Sequence, residues 1–338
     1  MQILVTGCAG FIGYHLSRAL SARGIKVYGI DSLNNYYDIN LKKARLQECG
    51  IRPSIYGQEY ISSGHPDCRF SQIDLCDKKA LENIFRNNRF DCVINLAAQA
   101  GVRYSLSHPE SYVESNVSGF LNILELCSHY KCPKLIYASS SSVYGNTTVA
   151  PFKESAQVDR PISIYAATKK SNELMAYTYS WLYKLPTVGL RFFTVYGPWG
   201  RPDMAPMLFA DAIYHDQPIK VFNNGQLSRD FTYIDDIVEG IIKITECPGL
   251  IREDNPGIPA VIYNIGHGSP VQLMDFIQQL ETSLGKTARK EYVGMQAGDV
   301  YQTWADTTKL KEDYGYTPNT PLVKGIQHFA EWFKQYNK

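Results

Sequence analysis

Short apolar runs alternate with longer helix-patterned segments through the first 191 residues of the chain. Residues 3–6, 27–30, 70–73, 92–96, 134–138 and 187–191 read as buried strands, and residues 11–23, 78–86, 109–130 and 165–183 as helices. That alternation predicts parallel βαβ units with right-handed crossovers, hence an α/β fold with a doubly wound parallel sheet of the Rossmann type. A long polar stretch, residues 34–66, decorates the sheet with a short helix of its own. After residue 191 a loop rich in Gly and Pro, TVYGPWGRPDMAP, leads into less regular elements. Strand-like residues 219–222 and 261–265 mingle there with helical residues 235–246, 270–284 and 322–337. The expected division is residues 1–187 as the larger unit. Residues 188–338 then form a smaller mixed α/β lobe, some of whose segments can rejoin the sheet.

Charge and cysteine usage exclude several classes. The chain carries 34 Lys+Arg against 33 Asp+Glu, a formal net charge of +1. A polybasic binder of nucleic acid or membrane is therefore not expected, and any anion must be held by local groups. The eight cysteines are scattered without a C-x-x-C pair, and the seven histidines never fall as H-x-x-x-H. Neither a disulfide framework nor a metal site is expected. No run of 18 apolar residues occurs, and the chain opens directly into strand-like MQILVTG, which points to a soluble cytoplasmic protein.

The string TGCAGFIG places Gly7, Gly10 and Gly13 between a strand and a helix. Glycines there allow a tight turn, close backbone approach to a pyrophosphate, and close helix–strand packing, with free helix N-terminal amides for the phosphates. The spacing is one residue longer than G-x-G-x-x-G, and a Gly-rich turn without ligand is the plain alternative. Asp31 ends the second strand, where a carboxylate can accept hydrogen bonds from the adenosine ribose hydroxyls. It repels a 2′-phosphate, and Ser32 and Leu33 supply no arginine to receive one, so NAD is favoured over NADP. Asp74-Leu75 and Asn95-Leu96-Ala97-Ala98 follow the third and fourth strands, at the sheet end where a cofactor crevice forms. Asp74 suits the adenine amino group, and the small alanines let a cofactor lie close to backbone.

The chemistry rests on Ser140 in YASSSSVYG and on Tyr165 and Lys169 in SIYAATKK. Tyr165 and Lys169 are i and i+4 and share a helix face. A tyrosine is a poor base at pH 7 unless a nearby cation favours its phenolate, a charge Lys169 can supply while holding the nicotinamide ribose. Ser140 can bond the same substrate oxygen. A proton acceptor beside a hydride acceptor suits oxidation of a secondary alcohol.

The chain resembles extended short-chain dehydrogenases/reductases of the nucleotide-sugar epimerase group, most closely the UDP-glucuronate 4-epimerases. The supporting strings are TGCAGFIG, NLAAQAGVRYS, YASSSSVYG, IYAATKK, LRFFTVYGPWGRPDMA and RDFTYIDDI. The resemblance implies cofactor contacts from Gly7, Gly10, Phe11, Ile12, Gly13, Asp31, Asn34, Asp74, Leu75, Leu96, Ala97, Ala98, Asn116, Tyr165, Lys169 and Phe193. It implies Tyr165 as base and Ser140 as its partner, with Ser139 and Ser141 close enough to confuse that assignment. It also implies a homodimer, through a four-helix interface built from helices 109–130 and 165–183; a buried intramolecular face would leave the same pattern.

The reaction so implied is transient oxidation at C4 of a UDP-sugar, rotation of the 4-keto sugar, and return of hydride to the opposite face. Dehydratases carry Asp-Glu after the catalytic hydroxyl residue, and decarboxylating relatives a Glu in that loop. Here Ser141 and Ser142 stand in those places. Arg201 suits a C6 carboxylate, its guanidinium matching a planar anion, and Thr194 can bond the same group. On the nucleotide side the resemblance implies Arg229 at the diphosphate, the backbone about Val221 at the uracil, and Asp299 at the uridine ribose. Gln296 stands where glucose-type epimerases carry an arginine. A 4-epimerase of UDP-glucose or a UDP-N-acetylhexosamine is the nearest rival, and an NAD-binding sensor the non-enzymatic one. Asp235 and Asp236 are expected to cap a helix.

Overall fold

Strand β1 (Gln2–Thr6) is apolar on both faces because both are covered: Ile3 and Val5 pack into one hydrophobic cluster and Leu4 into another. It pairs in parallel with β2 (Lys26–Asp31) and β5 (Cys92–Asn95). The structure is a computed structural model that describes all residues except 147–148, 248–253, 255, 297–298 and 338. Across the eight-stranded sheet the order is Ala260–Ile265, β7 (Thr187–Phe192), β6 (Leu135–Ser140), β5, β1, β2, β4 (Cys68–Gln72) and β3 (Glu59–Ile61). The pairing is parallel except for β3, which runs antiparallel to β4. Strand order reverses between β1 and β5, and ligands of doubly wound sheets bind at such a switch point.

Helix Phe11–Ala22 and helix Ile234–Glu246 cover one face, through Leu16, Leu20, Ile237 and Ile241. Helices Lys78–Asn87, Gly119–His129 and Ile164–Tyr183 cover the other, through Leu81, Phe85, Phe120, Ile123 and Ala176. The continuous helix expected over 109–130 is interrupted. Pro109–Tyr112 is α-helical, Val113–Ser118 is a π-helical turn, and the α-helix resumes at Gly119. Such widened turns occur often at functional sites.

A cut at residue 187 falls on the first residue of β7, and Ala260–Ile265 returns to lie parallel to β7 at the sheet edge. Other strands of the second lobe stay outside the sheet: Pro218–Phe222 pairs in parallel with Arg289–Val293. Helices Ala205–Tyr214 and Thr308–Tyr314 and the three-residue β3 escape the sequence pattern. The expected cap by Asp235 and Asp236 also differs. Their helix follows Tyr233 with no side-chain cap, and Asp236 instead accepts from the amides of Asn319 (3.2 Å) and Thr320 (3.2 Å) ahead of helix Leu322–Tyr336. Among the described residues no helix is long and apolar enough to cross a membrane.

Candidate active site

A cleft of about 1300 Å³ runs along the carboxyl ends of the strands. It exceeds the roughly 300–1,000 Å³ of single-ligand pockets, so it has room for two ligands together. Its floor at the switch point is the glycine loop. Gly7 has φ +69°, its amide donates to the Ile30 carbonyl (2.8 Å), and a Cβ there would lie 2.8 Å from the Ala97 nitrogen. A Cβ on Gly13 would collide with the Gly7 carbonyl. A larger residue at Gly13 forces the helix off the loop, and one at Gly7 forces the loop off the Leu96–Ala97 backbone. Gly10 caps the helix without a side-chain bond, leaving the first-turn amides of Phe11, Ile12 and Gly13 for an anion.

At the end of β2 the buried Asp31 carboxylate accepts from the amides of Leu33 (2.8 Å) and Ala9 (3.2 Å). Lys42 Nζ stands 3.8 Å from it and donates to Asn34 Oδ1 (2.7 Å). Asp74 accepts from the Cys76 amide (2.8 Å), and Asp74, Leu75, Leu96, Ala97, Ala98 and Phe193 all line the cleft. A capless helix start, a ribose-height carboxylate and a smooth apolar wall together fit a dinucleotide. Asn116 is the exception. It is buried behind the wall, where Oδ1 accepts from the Gln99 amide (2.8 Å) and Nδ2 donates to the Gln99 carbonyl (2.9 Å) and Thr168 Oγ1 (3.0 Å). The π-helical turn carries it, and its side chain braces the loop that forms the wall.

Ser140 ends β6, and Tyr165 and Lys169 lie in the first turns of helix Ile164–Tyr183, whose N-cap Ser163 accepts from the Ala166 amide (3.1 Å). All three line the cleft. Burial raises the Tyr165 pKa; the Ser140 hydroxyl and the Arg201 guanidinium pull it down, and Asp203 opposes them. Lys169 Nζ donates to the Ala138 carbonyl (2.9 Å) and sits 6.0 Å from the Tyr165 ring centroid. Burial lowers its own pKa to about 7. Lys169 Nζ therefore sits against the Tyr165 ring, and the Arg201 guanidinium is a second cation near the phenol. Of the neighbouring serines, Ser139 is already committed, donating to Glu173 Oε1 (2.7 Å) within the buried Glu173–Arg191 ion pair. Ser141 lines the cleft, and Ser140 accepts from the Ser142 amide (3.2 Å) and hydroxyl (2.8 Å).

Thr194, Arg201, Arg229 and Asp299 line the same cleft as Ser140, Tyr165 and Lys169. The Val221 side chain is fully buried in the core of the second lobe, and the strand expected to present backbone lines the cleft through Ile219, Lys220 and Phe222. Burial lowers the Arg229 pKa, with Asp299 pulling the other way. Four further cleft residues that the sequence patterns did not single out make polar contacts there. Arg103 pairs with Asp299 (3.4 Å) and lies over the Phe222 ring (4.9 Å). Asp203 holds Arg201, Tyr36 donates to Asp203 (3.0 Å), and Lys42 reaches Asp31. Arg103 and Asp203 sit inside the strings that carry the resemblance, so their positions were visible although their directions were not.

The chain is similar to known proteins along its whole length. The family described as "NAD dependent epimerase/dehydratase family" matches residues 3–266. Protein CapI of Staphylococcus aureus is 48% identical, with all of both chains covered. A probable UDP-glucuronate 4-epimerase of Rhizobium meliloti is 41% identical, over 99% of this chain and 97% of that protein. The crystal structure of UDP-glucuronic acid 4-epimerase from Bacillus cereus, in complex with UDP-glucuronic acid and NAD, superposes with a TM-score of 0.87 at 34% identity, covering 99% of this chain and all of that one. With the glycine loop, Asp31 and the Ser140–Tyr165–Lys169 cluster in one cleft, the chain belongs to the NAD-dependent epimerase/dehydratase family.

Proposed function

We propose that the chain is a UDP-glucuronate 4-epimerase, interconverting UDP-glucuronate and UDP-galacturonate. The observation that carries the choice of substrate is Arg201, whose guanidinium lines the cleft within electrostatic reach of the Tyr165 phenol. An arginine there gives a negatively charged C6 group a partner beside the reacting C4. NAD, when bound, supplies the acceptor and donor of hydride. The chain supplies the rest: Tyr165 takes and returns the C4 hydroxyl proton, Ser140 steadies that oxygen, and Lys169 keeps a positive charge under the phenol. Thr194 and Arg201 hold the carboxylate, and Arg229 meets the diphosphate. A 4-keto uronic acid readily loses CO₂, so holding its carboxylate still also protects the intermediate. Among the sister reactions, dehydration and decarboxylation lack their acidic residues at Ser141 and Ser142. One observation favours a neutral sugar instead: Arg201 is already paired with Asp203 at 2.5 Å.

Purified chain incubated with UDP-glucuronate is expected to yield UDP-galacturonate, resolved by chromatography. UDP-xylose would mean decarboxylation, and no product at high enzyme concentration ends the proposal. Arg201→Met is expected to lower kcat/KM for UDP-glucuronate by roughly 10- to 100-fold, the worth of a charged hydrogen bond at about tenfold per 1.4 kcal/mol. UDP-glucose turnover is expected to suffer much less, and equal losses count against carboxylate recognition.

The assembly is proposed to be a homodimer through a four-helix interface. Helix Ile164–Tyr183 exposes Leu174, Tyr177 and Trp181, a single face at i, i+3 and i+7, and the neighbouring helices expose Val113 and Leu121. Light scattering is expected to give twice the chain mass, and a monomer at micromolar concentration would refute it.

A further inference from the structure

Arg201 does not stand alone in the cleft. Its Nε donates to Asp203 Oδ1 (3.1 Å) and its Nη2 to Asp203 Oδ2 (2.5 Å), a bidentate pair on the side-on edge of the guanidinium. The end-on edge, Nη1 with the outer hydrogen of Nη2, carries no bond among the described residues. Asp203 is itself held from the other lobe, because the Tyr36 hydroxyl donates to Oδ2 (3.0 Å). Tyr36 in turn packs on Tyr104 (centroids 4.9 Å apart), and a Cβ on Gly101 would lie 2.5 Å from the Tyr36 oxygen. The backbone ahead of Arg201 is fixed as well: the fully buried Arg45 donates to the carbonyls of Trp199 (2.7 Å) and Gly200 (3.2 Å). Arg201, Asp203, Tyr36 and Tyr165 all line the one cleft.

A guanidinium has two edges that can take a carboxylate bidentately, and a carboxylate on one closes it to another. We propose that Asp203, locked by Tyr36, is a positioning residue that fixes the Arg201 rotamer and leaves only the end-on edge for the carboxylate of a UDP-uronate. This rests on the uronate reading above and makes its geometry specific. The internal pair thus prepares the site: the arginine enters binding already ordered, and the substrate anion can approach from one direction only. An ion pair two residues apart, partly open to solvent, adds little to folding, so its place in the cleft wall calls for another reason.

The test is the affinity of the NAD-loaded holoenzyme for UDP-glucuronate relative to UDP-glucose, measured by calorimetry. Asp203→Ala is expected to lower that preference at least about 10-fold, and Tyr36→Phe, which removes one hydroxyl and spares the fold, about 3-fold. The double variant Arg201→Ala/Asp203→Ala is expected to show the same preference as Arg201→Ala alone, since a positioning residue has nothing left to position. A preference unchanged in both Asp203→Ala and Tyr36→Phe, yet lost in Arg201→Ala, overturns this proposal while sparing the uronate reading. A preference that survives Arg201→Ala overturns both.

Discussion

Tyr165→Phe is expected to lower kcat for UDP-sugar epimerisation by about 10²- to 10⁴-fold, the usual worth of a positioned acid–base group. The substitution is a clean one. Phenylalanine keeps the ring and its edge contact with Tyr112, whose centroid is 6.0 Å away, and removes only the oxygen that exchanges the proton. Ser140 cannot take over, because its oxygen already accepts two bonds from Ser142 and a serine hydroxyl is a far weaker acid than a phenol. The parent should gain activity with rising pH as the phenol, raised by burial, gives up its proton. Initial rates decide the matter, and turnover within tenfold of the parent would remove Tyr165 from the chemistry.

Lys169→Met should move activity and stability in opposite directions. Activity is expected to fall by about 10²-fold or more, as when a preorganised donor is removed from a reaction centre. Stability of the cofactor-free chain is expected to rise. Lys169 is 2% exposed, its hydrogen-bond partner is a neutral carbonyl, and burial lowers its pKa to about 7. The unfolded value is near 10.4. Between those pH values the unfolded chain binds more protons, so parent stability climbs with pH across that window. Below pH 7 the cost of the buried ammonium is fully present, and above about 10.4 it is gone. Methionine removes it, a gain on the order of a few kcal/mol at pH 6 that fades by pH 10. Urea unfolding at both pH values measures it; no gain at pH 6 would mean that a counter-charge already satisfies the ammonium.

The parts of the molecule governed by periodicity were legible in the sequence. Hydrophobic runs located the main strands and helices, and the glycine string placed the strand-to-helix turn, where close backbone contact allows no side chain. Ser140, Tyr165 and Lys169 met because strand end and helix face fix their directions. Loop residues obey no such period. The Val221 side chain packs into the core of the second lobe, while Ile219, Lys220 and Phe222 around it line the cleft. Asn116 sits in a π-helical turn that no residue pattern announces. The Asp203–Tyr36 lock depends on two segments 167 residues apart, which only the folded chain brings together.

The return of Ala260–Ile265 to the sheet also bears on how the protein is made. Strand β7 leaves the ribosome with its outer backbone groups unpaired, and their partners begin 73 residues later, at Ala260 against Thr187. At roughly 5–20 residues per second, that is some 4–15 s during which the nascent sheet keeps an open edge. An open edge is a template for pairing with other chains. A chain arrested between the two strands would therefore carry the complete glycine loop and all of Ser140, Tyr165 and Lys169 on a sheet with its edge still open.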